Sequence, residues 1–542
     1  MSVVSLYEEW LKKSAKESAV YNELISVAGD ERAIEDRFYK GLSFGTGGLR
    51  GKLGAGTNRM NVFSVGRATF GLADYIKNNG GDSVGIAYDS RHMSDRFALL
   101  VAEIMSFKGI KAYLFNTLTP TPVLSFAVRY YSLFCGVVIT ASHNPKEYNG
   151  YKVYNKNGCQ LTDSAAAEVT ECIEKYGYFN EFIPDLKLIR TLGEETLVAF
   201  LDAIEEYSLP YDKKYLPTVV YTPLCGTGNI PVRKLFERLN VKYTIVKEQS
   251  EPNGDFTTCP YPNPEERAAL KLAVECAESS GAELVLATDP DADRVGVAVR
   301  DGKGYRLLNG NETGVLMENF ILSVKKEGGT LPENAYIVKT IVTSGLSEKV
   351  AGSFGVKVKN VLTGFKYIGE TIDKTEGNYL FGMEESFGYL VGKHARDKDA
   401  ISAIMIIVEA FAYYKKAGKT FLSALEELYG KFGYYSSALF SKTFEGKSGF
   451  EYMRSFTEKL RKEPWREIAG EKVLSVLDYG RGVGELPKSD VLSFAGERFS
   501  LIVRPSGTEP KLKAYITAVG KTEKESEGLK EKLTAFIENA VV

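Results

Sequence analysis

Short apolar runs alternate with longer amphipathic stretches along most of this 542-residue chain, and this alternation limits the folds open to it. Runs dense in Val and Ile predict strands buried on both faces, and the amphipathic stretches predict the helices that cover them. Such helices are predicted at residues 95–107 and 264–279. Strands are predicted at residues 83–87, 136–140, 218–221, 283–287 and 335–339. The pattern is typical of an α/β protein with parallel or mixed sheets.

The start of the second predicted helix has a clear local signature. Asn263 is a capping residue, Pro264 suits the first helical position, and Glu265 and Glu266 place acids in the first turn. We therefore expect that helix to begin at Pro264.

The chain is longer than one hydrophobic core supports, and a domain size of roughly 100–200 residues indicates about three to five domains. The last hundred or so residues are richer in aromatic, Ser and Gly residues than the rest. Strands are predicted there at residues 500–503 and 512–518. We interpret this part as a smaller α+β domain.

Composition excludes several classes of protein. The hydrophobic fraction of 44% and charged fraction of 25% are ordinary for a globular protein, and a net charge of -2 argues against a nucleic-acid binder. The N-terminus lacks the basic region of a signal peptide, and the longest apolar stretch, residues 400–414, is interrupted by Glu409. Six scattered cysteines without metal-type spacing fit a reducing compartment. We expect a cytoplasmic protein without a membrane segment.

Residues 287–294 read Ala-Thr-Asp-Pro-Asp-Ala-Asp-Arg and follow an apolar run. Three carboxylates on alternate residues repel one another unless a cation neutralises them, and carboxylate oxygens suit Mg²⁺ or Ca²⁺. An EF-hand is excluded, because Arg294 and Arg300 stand where its loop needs Gly and Glu. The alternative is a solvated acidic turn. The candidate metal ligands are Asp289, Asp291 and Asp293.

Residues 138–145 read Val-Ile-Thr-Ala-Ser-His-Asn-Pro and place the hydroxyl of Ser142 at the end of another apolar run. A serine hydrolase elbow does not fit, because the small residues of that motif are missing. A turn that merely closes a strand is the simpler alternative. A phosphoserine held by a divalent cation explains this loop together with the aspartates, so we expect the two loops to meet in space.

Two further loops have the composition of anion sites. Residues 504–508, Arg-Pro-Ser-Gly-Thr, combine a guanidinium, two hydroxyls and a glycine, as a phosphate monoester requires. Residues 44–52 hold four glycines with Arg50 and Lys52, without the spacing of a Walker A loop. A flexible turn is the alternative for the second loop.

Taken in order, the motifs at residues 44–52, 140–145, 289–294, 382–388 and 504–511 resemble those of the α-D-phosphohexomutases, the phosphoglucomutase/phosphomannomutase family. The resemblance covers essentially the whole chain. It implies three related α/β domains and a smaller C-terminal α+β domain around a central cleft. We place them at residues 1–204, 205–306, 307–422 and 423–542.

The resemblance also implies the roles of individual residues. Ser142 matches the phosphorylated serine, which supplies a Mg²⁺ ligand beside the three aspartates. Lys398 matches a lysine that assists proton transfer in some members. The other implied catalytic residues are His143, Arg50 and Lys152. The implied substrate-binding residues are Arg294, Thr363, Gly364, Glu384, Ser386, Arg504, Ser506, Gly507, Thr508 and Lys513.

The activity implied is reversible phosphoryl transfer between O1 and O6 of a hexose phosphate, through a phosphoserine and a hexose 1,6-bisphosphate that acts as intermediate and activator. Residues 384–388, Glu-Glu-Ser-Phe-Gly, resemble glucose-preferring members. The forms of the loops at residues 45–51 and 146–150 resemble a branch that includes phosphopentomutases. A phosphomannomutase, a phosphopentomutase, a Mg²⁺-dependent phosphatase and a non-catalytic sugar-phosphate binding protein stay open as alternatives. Sugar phosphates are the expected small-molecule partners, and the sequence indicates no protein partner.

Overall fold

The computed structural model describes residues 2–45, 47–444, 446–505 and 511–541. Two compact units are present, each built from three stretches of chain. The first comprises Met1–Gly310, Ile368–Glu376 and Ser386–Tyr413. The second comprises Asn311–Tyr367, Gly377–Glu385 and Tyr414–Val542. None of the helices in these described ranges has the length and apolarity needed to cross a bilayer.

The α-helices mostly follow the amphipathic stretches of the sequence, as expected where a helix covers a sheet on one side only. In chain order they are Val3–Lys13 (α1), Ala19–Ser26 (α2), Glu31–Phe38 (α3), Val62–Asn78 (α4), Ser94–Phe107 (α5), Thr121–Tyr130 (α6), Asp163–Glu174 (α7), Glu194–Glu205 (α8), Asn229–Leu239 (α9), Lys247–Ser250 (α10), Lys271–Ser280 (α11), Gly310–Glu327 (α12), Leu346–Ser353 (α13), Phe365–Lys374 (α14), Ala400–Lys416 (α15), Phe421–Phe432 (α16), Gly446–Lys462 (α17) and Glu523–Ala540 (α18).

The strands are short, and many are rich in β-branched and aromatic residues. They are Gly48–Lys52 (β1), Ser83–Tyr88 (β2), Lys111–Phe115 (β3), Cys135–Ile139 (β4), Tyr148–Asn155 (β5), Ile189–Leu192 (β6), Thr218–Thr222 (β7), Lys242–Ile245 (β8), Leu284–Thr288 (β9), Val295–Asp301 (β10), Gly304–Leu308 (β11), Ala335–Thr340 (β12), Lys357–Val361 (β13), Asn378–Glu384 (β14), Gly388–Val391 (β15), Tyr434–Thr443 (β16), Glu467–Ile468 (β17), Glu471–Lys472 (β18), Ser475–Asp478 (β19), Leu492–Ala495 (β20), Phe499–Pro505 (β21) and Lys511–Gly520 (β22).

Two mixed sheets organise the first unit. One has the order β1-β5-β4-β2-β3-β6, with β2 parallel to β3 and β4, and β5 antiparallel to β4 and β1. The other has the order β11-β10-β9-β7-β8, with β7 parallel to β8 and β9. Every residue of β4 and of β9 is buried, as expected for strands covered on both faces. The mixed sheets confirm the predicted α/β class.

The second unit combines two kinds of sheet. Strand β12 lies between β13 and β14, and both pairings are parallel. The C-terminal part is an antiparallel sheet of order β16-β22-β21-β20-β19, and α18 contacts β22 and β16. An apolar cluster that includes Val342, Leu362 and Ile502 joins residues of these two parts. The smaller C-terminal α+β domain expected from the sequence is therefore confirmed.

Predicted strands agree with the observed ones to within a residue or two at most ends. The second predicted helix is present, but its predicted start at Pro264 is wrong: α11 begins at Lys271, and residues 264–270 form short turns instead. Asn263 does cap the N–H of Glu265, at 3.2 Å. In this segment Glu265 forms an ion pair with Arg294, and Pro264 packs directly against Gly296 of β10.

A buried glutamate on α15 makes the stability of the first unit depend on pH. Glu409 accepts hydrogen bonds from the Ser208 hydroxyl at 2.5 Å and the Leu209 N–H at 3.0 Å. Burial raises its pKa from the ordinary 4.5 to about 8, although both hydrogen bonds act to lower it. The folded chain keeps a proton that the unfolded chain releases. The free energy of unfolding therefore falls as the pH rises from 4.5 to about 8, by about 1.4 kcal/mol per pH unit.

We expect Glu409→Gln to remove this pH dependence, because the side chain keeps its shape and loses its ionisable group. The melting temperature, followed by circular dichroism, should fall less between about pH 5 and pH 8 than that of the wild type. Exposed Glu171→Gln is the matched control and should follow the wild type. An unchanged pH dependence in Glu409→Gln would show that Glu409 does not retain its proton.

Candidate active site

The aspartate loop is a tight reversal between the antiparallel strands β9 and β10, in which Thr288 pairs with Val295. One carboxylate oxygen of Asp289 accepts the backbone N–H groups of Asp293 and Arg294, at 3.1 and 3.0 Å. Ala292 adopts a left-handed conformation with φ 52° to complete the turn. The reversal gathers the three aspartates, and a carboxylate oxygen of each lies within 4.8 Å of the others.

All three carboxylates are buried, and their electrostatics favour a cation. Burial and the charges of Asp291 and Asp293 raise the pKa of Asp289 well above its usual range. One oxygen of Asp291 and one of Asp293 are buried without a hydrogen-bond partner within the described part of the chain. Buried carboxylate oxygens without partners are the ligands that a hard divalent cation takes. The donor set therefore fits Mg²⁺.

The serine loop meets the aspartate loop, as the sequence predicts. Ser142 is 3% exposed, and its Oγ donates a hydrogen bond of 2.6 Å to Oδ2 of Asp289. The loop leaves β4 through Thr140, whose hydroxyl accepts the Ser142 N–H at 2.8 Å. Ser142 has a left-handed φ of 52°, an unusual conformation for a residue other than glycine. The backbone conformation thus directs the Ser142 hydroxyl at the acidic cluster.

Lys152 supplies a buried positive charge to the cluster. Strand β5 places its Nζ 2.7 Å from Oδ2 of Asp291 and 3.3 Å from Oδ2 of Asp293. Burial alone would lower the pKa of Lys152, but these two carboxylates raise it above its ordinary value. Lys152 is therefore a fixed cation within the aspartate cluster to which Ser142 donates.

Arg50 contacts the serine loop, and His143 belongs to it and lies next to Ser142. Arg50, on β1, donates to the side-chain oxygen of Asn144 at 3.2 Å. Nδ1 of His143 lies 3.2 Å from Ser142 Oγ, and burial with the nearby charges of Arg294 and Arg50 lowers the pKa of His143 well below its usual value. His143 is thus a neutral imidazole next to the serine hydroxyl.

The glycine-rich loop needs its glycines for close approach. Gly48 has a φ of 120°, and a Cβ there would lie 1.8 Å from the carbonyl oxygen of Tyr151. Only glycine therefore lets β1 lie against β5 and bring Arg50 to the serine loop.

Lys398 forms ion pairs both with the aspartate cluster and with its neighbour Asp397. Its Nζ lies 3.2 Å from Oδ2 of Asp293 and 3.2 Å from Oδ1 of Asp397. Tyr154 donates its hydroxyl to Asp397 at 2.7 Å. Arg294 forms an ion pair with Glu265 at the edge of the same loop. The first unit thus brings together all the catalytic residues and metal ligands that the sequence predicts.

Glu384, Thr363 and Gly364, three of the other predicted substrate-binding residues, belong to the second unit. Glu384 ends β14, and its carboxylate accepts the Gly364 N–H at 3.0 Å. The adjacent Thr363 has a buried hydroxyl without a hydrogen-bond partner among the residues described. Ser386 is half-buried and belongs to the first unit.

The phosphate loop is described only in part. Arg504 on β21 pairs with Lys513 on β22, and the Arg504 side chain is hydrogen-bonded to Tyr515. Burial raises the pKa of Tyr515 to about 12, so this phenol is neutral. Ser506, Gly507 and Thr508 lie outside the described residues.

The sequence analysis does not predict two residues of the site, Thr121 and Asp397. Thr121 begins α6 and donates its hydroxyl to Oδ2 of Asp291 at 2.7 Å. Asp397 partners Lys398 and is buried. The position of Asp397 directly before a predicted catalytic lysine was an available signal, whereas nothing near Thr121 in the sequence points to the aspartate loop.

Comparisons with known proteins identify the family. Three family models match the chain: phosphoglucomutase/phosphomannomutase α/β/α domain I at residues 41–179, domain II at 198–303 and domain III at 309–432. A phosphoglucomutase of Staphylococcus saprophyticus is 38% identical over 504 residues, which cover 88% of this chain and 90% of the relative.

Two solved structures share the fold. The open form of the Paramecium phosphoglucomutase pp63/parafusin has a TM-score of 0.70 and 18% identity, and the match covers 93% of this chain and 95% of that one. An Aspergillus fumigatus N-acetylphosphoglucosamine mutase, solved with GlcNAc-6P and magnesium, has a TM-score of 0.53 and 14% identity, with both chains fully covered.

This chain belongs to the phosphoglucomutase/phosphomannomutase family, as its sequence motifs indicate. It is a phosphohexomutase, an enzyme that transfers a phosphoryl group within a sugar phosphate. The domain boundaries at residues 204, 306 and 422, and the phosphopentomutase branch, stay predictions.

We expect Asp291→Asn to weaken Mg²⁺ binding at least about tenfold, because it removes one charge from the cluster. Isothermal titration calorimetry with Mg²⁺ measures the affinity directly. The melting temperature should rise with Mg²⁺ in the wild type and much less in the variant, because a ligand of the folded state stabilises it. Asp202→Asn, which changes an exposed partner of Arg238, is the control. Equal Mg²⁺ affinity in Asp291→Asn and the wild type would refute the metal assignment.

Proposed function

We propose that this enzyme interconverts hexose 1-phosphate and hexose 6-phosphate, with glucose as the preferred sugar, through a phosphorylated Ser142 and a hexose 1,6-bisphosphate intermediate. The observation that carries the proposal is the 2.6 Å hydrogen bond from Ser142 Oγ to Asp289, inside a buried cluster of three carboxylates and two lysines. The phosphoglucomutase relative supports glucose as the sugar.

In the first half-reaction the phosphoryl group of Ser142 passes to the free hydroxyl of the sugar monophosphate. The bond between phosphorus and Ser142 Oγ breaks, and the bond between phosphorus and the sugar oxygen forms. The sugar hydroxyl loses its proton to a base, and Ser142 Oγ takes up a proton to become the hydroxyl that donates to Asp289. The bisphosphate then reorients in the site, and its other phosphoryl group is transferred to Ser142. Phosphoryl transfer depends mainly on positioning and charge stabilisation, which Lys152 and Arg50 supply at the serine.

Mg²⁺, when bound by Asp289, Asp291, Asp293 and the phosphoserine, would neutralise charge on the transferring group. Magnesium in the Aspergillus mutase supports this choice of cation. His143, as a neutral imidazole, can hydrogen-bond to Ser142 without adding charge. Lys398 is the proposed acid–base group of one half-reaction, because its ammonium lies 3.2 Å from Asp293 at the centre of the cluster.

The remaining predicted residues bind the rest of the substrate. Glu384 and Ser386 are proposed to bind the sugar hydroxyls, since a carboxylate and a hydroxyl pair well with vicinal diols. The phosphate that is not being transferred is proposed to bind to cations and backbone N–H groups at a common anion site. That site comprises Arg504, Ser506, Gly507 and Thr508. Arg294, Thr363, Gly364 and Lys513 are further proposed substrate-binding residues.

Ser142→Ala removes the phosphoryl carrier, and we expect kcat to fall by roughly 10⁴-fold or more. Intact-mass spectrometry of freshly purified wild type should show a fraction heavier by one phosphoryl group, which Ser142→Ala lacks. Exposed Ser279→Ala is the control and should behave as the wild type. Coupled assays on glucose, mannose, ribose and glucosamine monophosphates identify the sugar.

Turnover by Ser142→Ala at the wild-type rate would refute the phosphoserine mechanism. If the wild type acts faster on mannose or ribose phosphate than on glucose phosphate, glucose is not the preferred sugar. The activity is then that of a phosphomannomutase or a phosphopentomutase. Release of inorganic phosphate as the main product would indicate a phosphatase.

A further inference from the structure

One buried arginine outside the five motifs holds the backbone of the serine loop. The Arg91 guanidinium donates through Nη1 to the carbonyl oxygens of Pro145 and Tyr148, at 2.9 and 3.1 Å. Through Nη2 it donates to the carbonyl oxygens of Ser142 and Asn144. Arg91 is 3% exposed. Four carbonyl groups of residues 142–148 therefore converge on one planar cation.

Arg91 is itself fixed in position. Its Nε lies 3.3 Å from Oδ2 of Asp89, and both side chains are completely buried. The other carboxylate oxygen of Asp89 accepts the backbone N–H of Arg91 at 3.0 Å and the Ser94 hydroxyl at 2.8 Å. The ring of Phe256 lies 5.0 Å from the guanidinium carbon, within the range of a cation–π contact. The guanidinium thus has a single orientation.

The serine loop needs such support because Ser142 has a left-handed φ of 52°. A residue with a Cβ in this conformation costs on the order of 1–3 kcal/mol, and it persists only where its surroundings determine it. The Thr140 hydroxyl accepts the Ser142 N–H at 2.8 Å. Arg91 donates to the Ser142 carbonyl oxygen, so hydrogen bonds hold the backbone on both sides of the residue.

We propose that Arg91 is a positioning residue for phosphoryl transfer, which keeps Ser142 Oγ directed at Asp289 both before and after the phosphoryl group leaves. This inference rests on the proposed role of Ser142. All four hydrogen-bond acceptors that Arg91 contacts in residues 142–148 are backbone carbonyl oxygens. Arg91 therefore acts through the loop and not on the reacting atoms. Its contribution is therefore to the rate of transfer rather than to the binding of sugar phosphate.

Arg91→Lys tests this proposal, because lysine keeps the charge but cannot hold four carbonyl groups in one plane. Misplacing a reacting atom by about 1 Å costs about 100-fold in rate. We expect the rate constant for phosphorylation of Ser142 by glucose 1,6-bisphosphate to fall about 100-fold, and KM for glucose 1-phosphate to change less than about threefold. Intact-mass spectrometry over time gives the rate constant and, separately, the amplitude.

The amplitude separates positioning from a loss of folded protein. A merely structural role of Arg91 would reduce the fraction of protein that becomes phosphorylated and leave its rate constant unchanged. Arg59→Lys is the matched control, because Arg59 is also buried, pairs with Asp36 and donates to backbone carbonyls away from this site. It should keep the wild-type rate constant.

A wild-type rate constant in Arg91→Lys, or an equal loss in Arg59→Lys, would overturn the inference. If Arg91→Lys does not fold, the same measurement on Phe256→Leu tests the proposal. This substitution removes the ring beside the guanidinium and keeps every hydrogen-bond donor of Arg91. A reduced rate constant at full amplitude supports positioning, and an unchanged one overturns it. If the wild type takes up no phosphoryl group at Ser142, the proposed function fails first, which is a distinct result.

Discussion

Three carboxylates are buried within a single turn, and the arrangement of the surrounding residues depends on them. Buried charges cost several kcal/mol each unless other charges and hydrogen bonds compensate them. Lys152 and Lys398 supply positive charge, and the hydroxyls of Ser142 and Thr121 supply hydrogen bonds. Two carboxylate oxygens still have no hydrogen-bond partner in the ranges described, which is why the cluster suits a divalent cation.

The same compensation explains how the site connects distant parts of the first unit. The partners of the cluster are separated by long stretches of sequence: 147 positions between Ser142 and Asp289, and 170 between Thr121 and Asp291. In these two contacts Ser142 and Asp289 follow strand ends and Thr121 begins a helix, which are usual places for a ligand site in an α/β fold. The site therefore depends on the relative placement of two sheets and cannot form from either loop alone.

Local sequence signals predict the strands and the chemistry but not the supporting contacts. The density of Val and Ile predicts β4 and β9, and the residue types in the loops after them predict a metal and a phosphoserine. The capping signal at Asn263 and Pro264 predicts a helix start seven residues too early, in a segment whose tertiary contacts include the ion pair between Glu265 and Arg294. The contacts of Arg91 are also invisible in sequence, since backbone carbonyls carry no residue identity.

The proposed role of Ser142 is to carry a phosphoryl group and pass it to sugar. Its test starts from protein carrying a radiolabelled phosphoryl group on Ser142, mixed with excess unlabelled glucose 6-phosphate in a rapid-quench experiment. We expect the label to leave the protein in one turnover and to appear first in glucose 1,6-bisphosphate and then in glucose monophosphates. Label that stays on the protein, or that is released as inorganic phosphate, would contradict it.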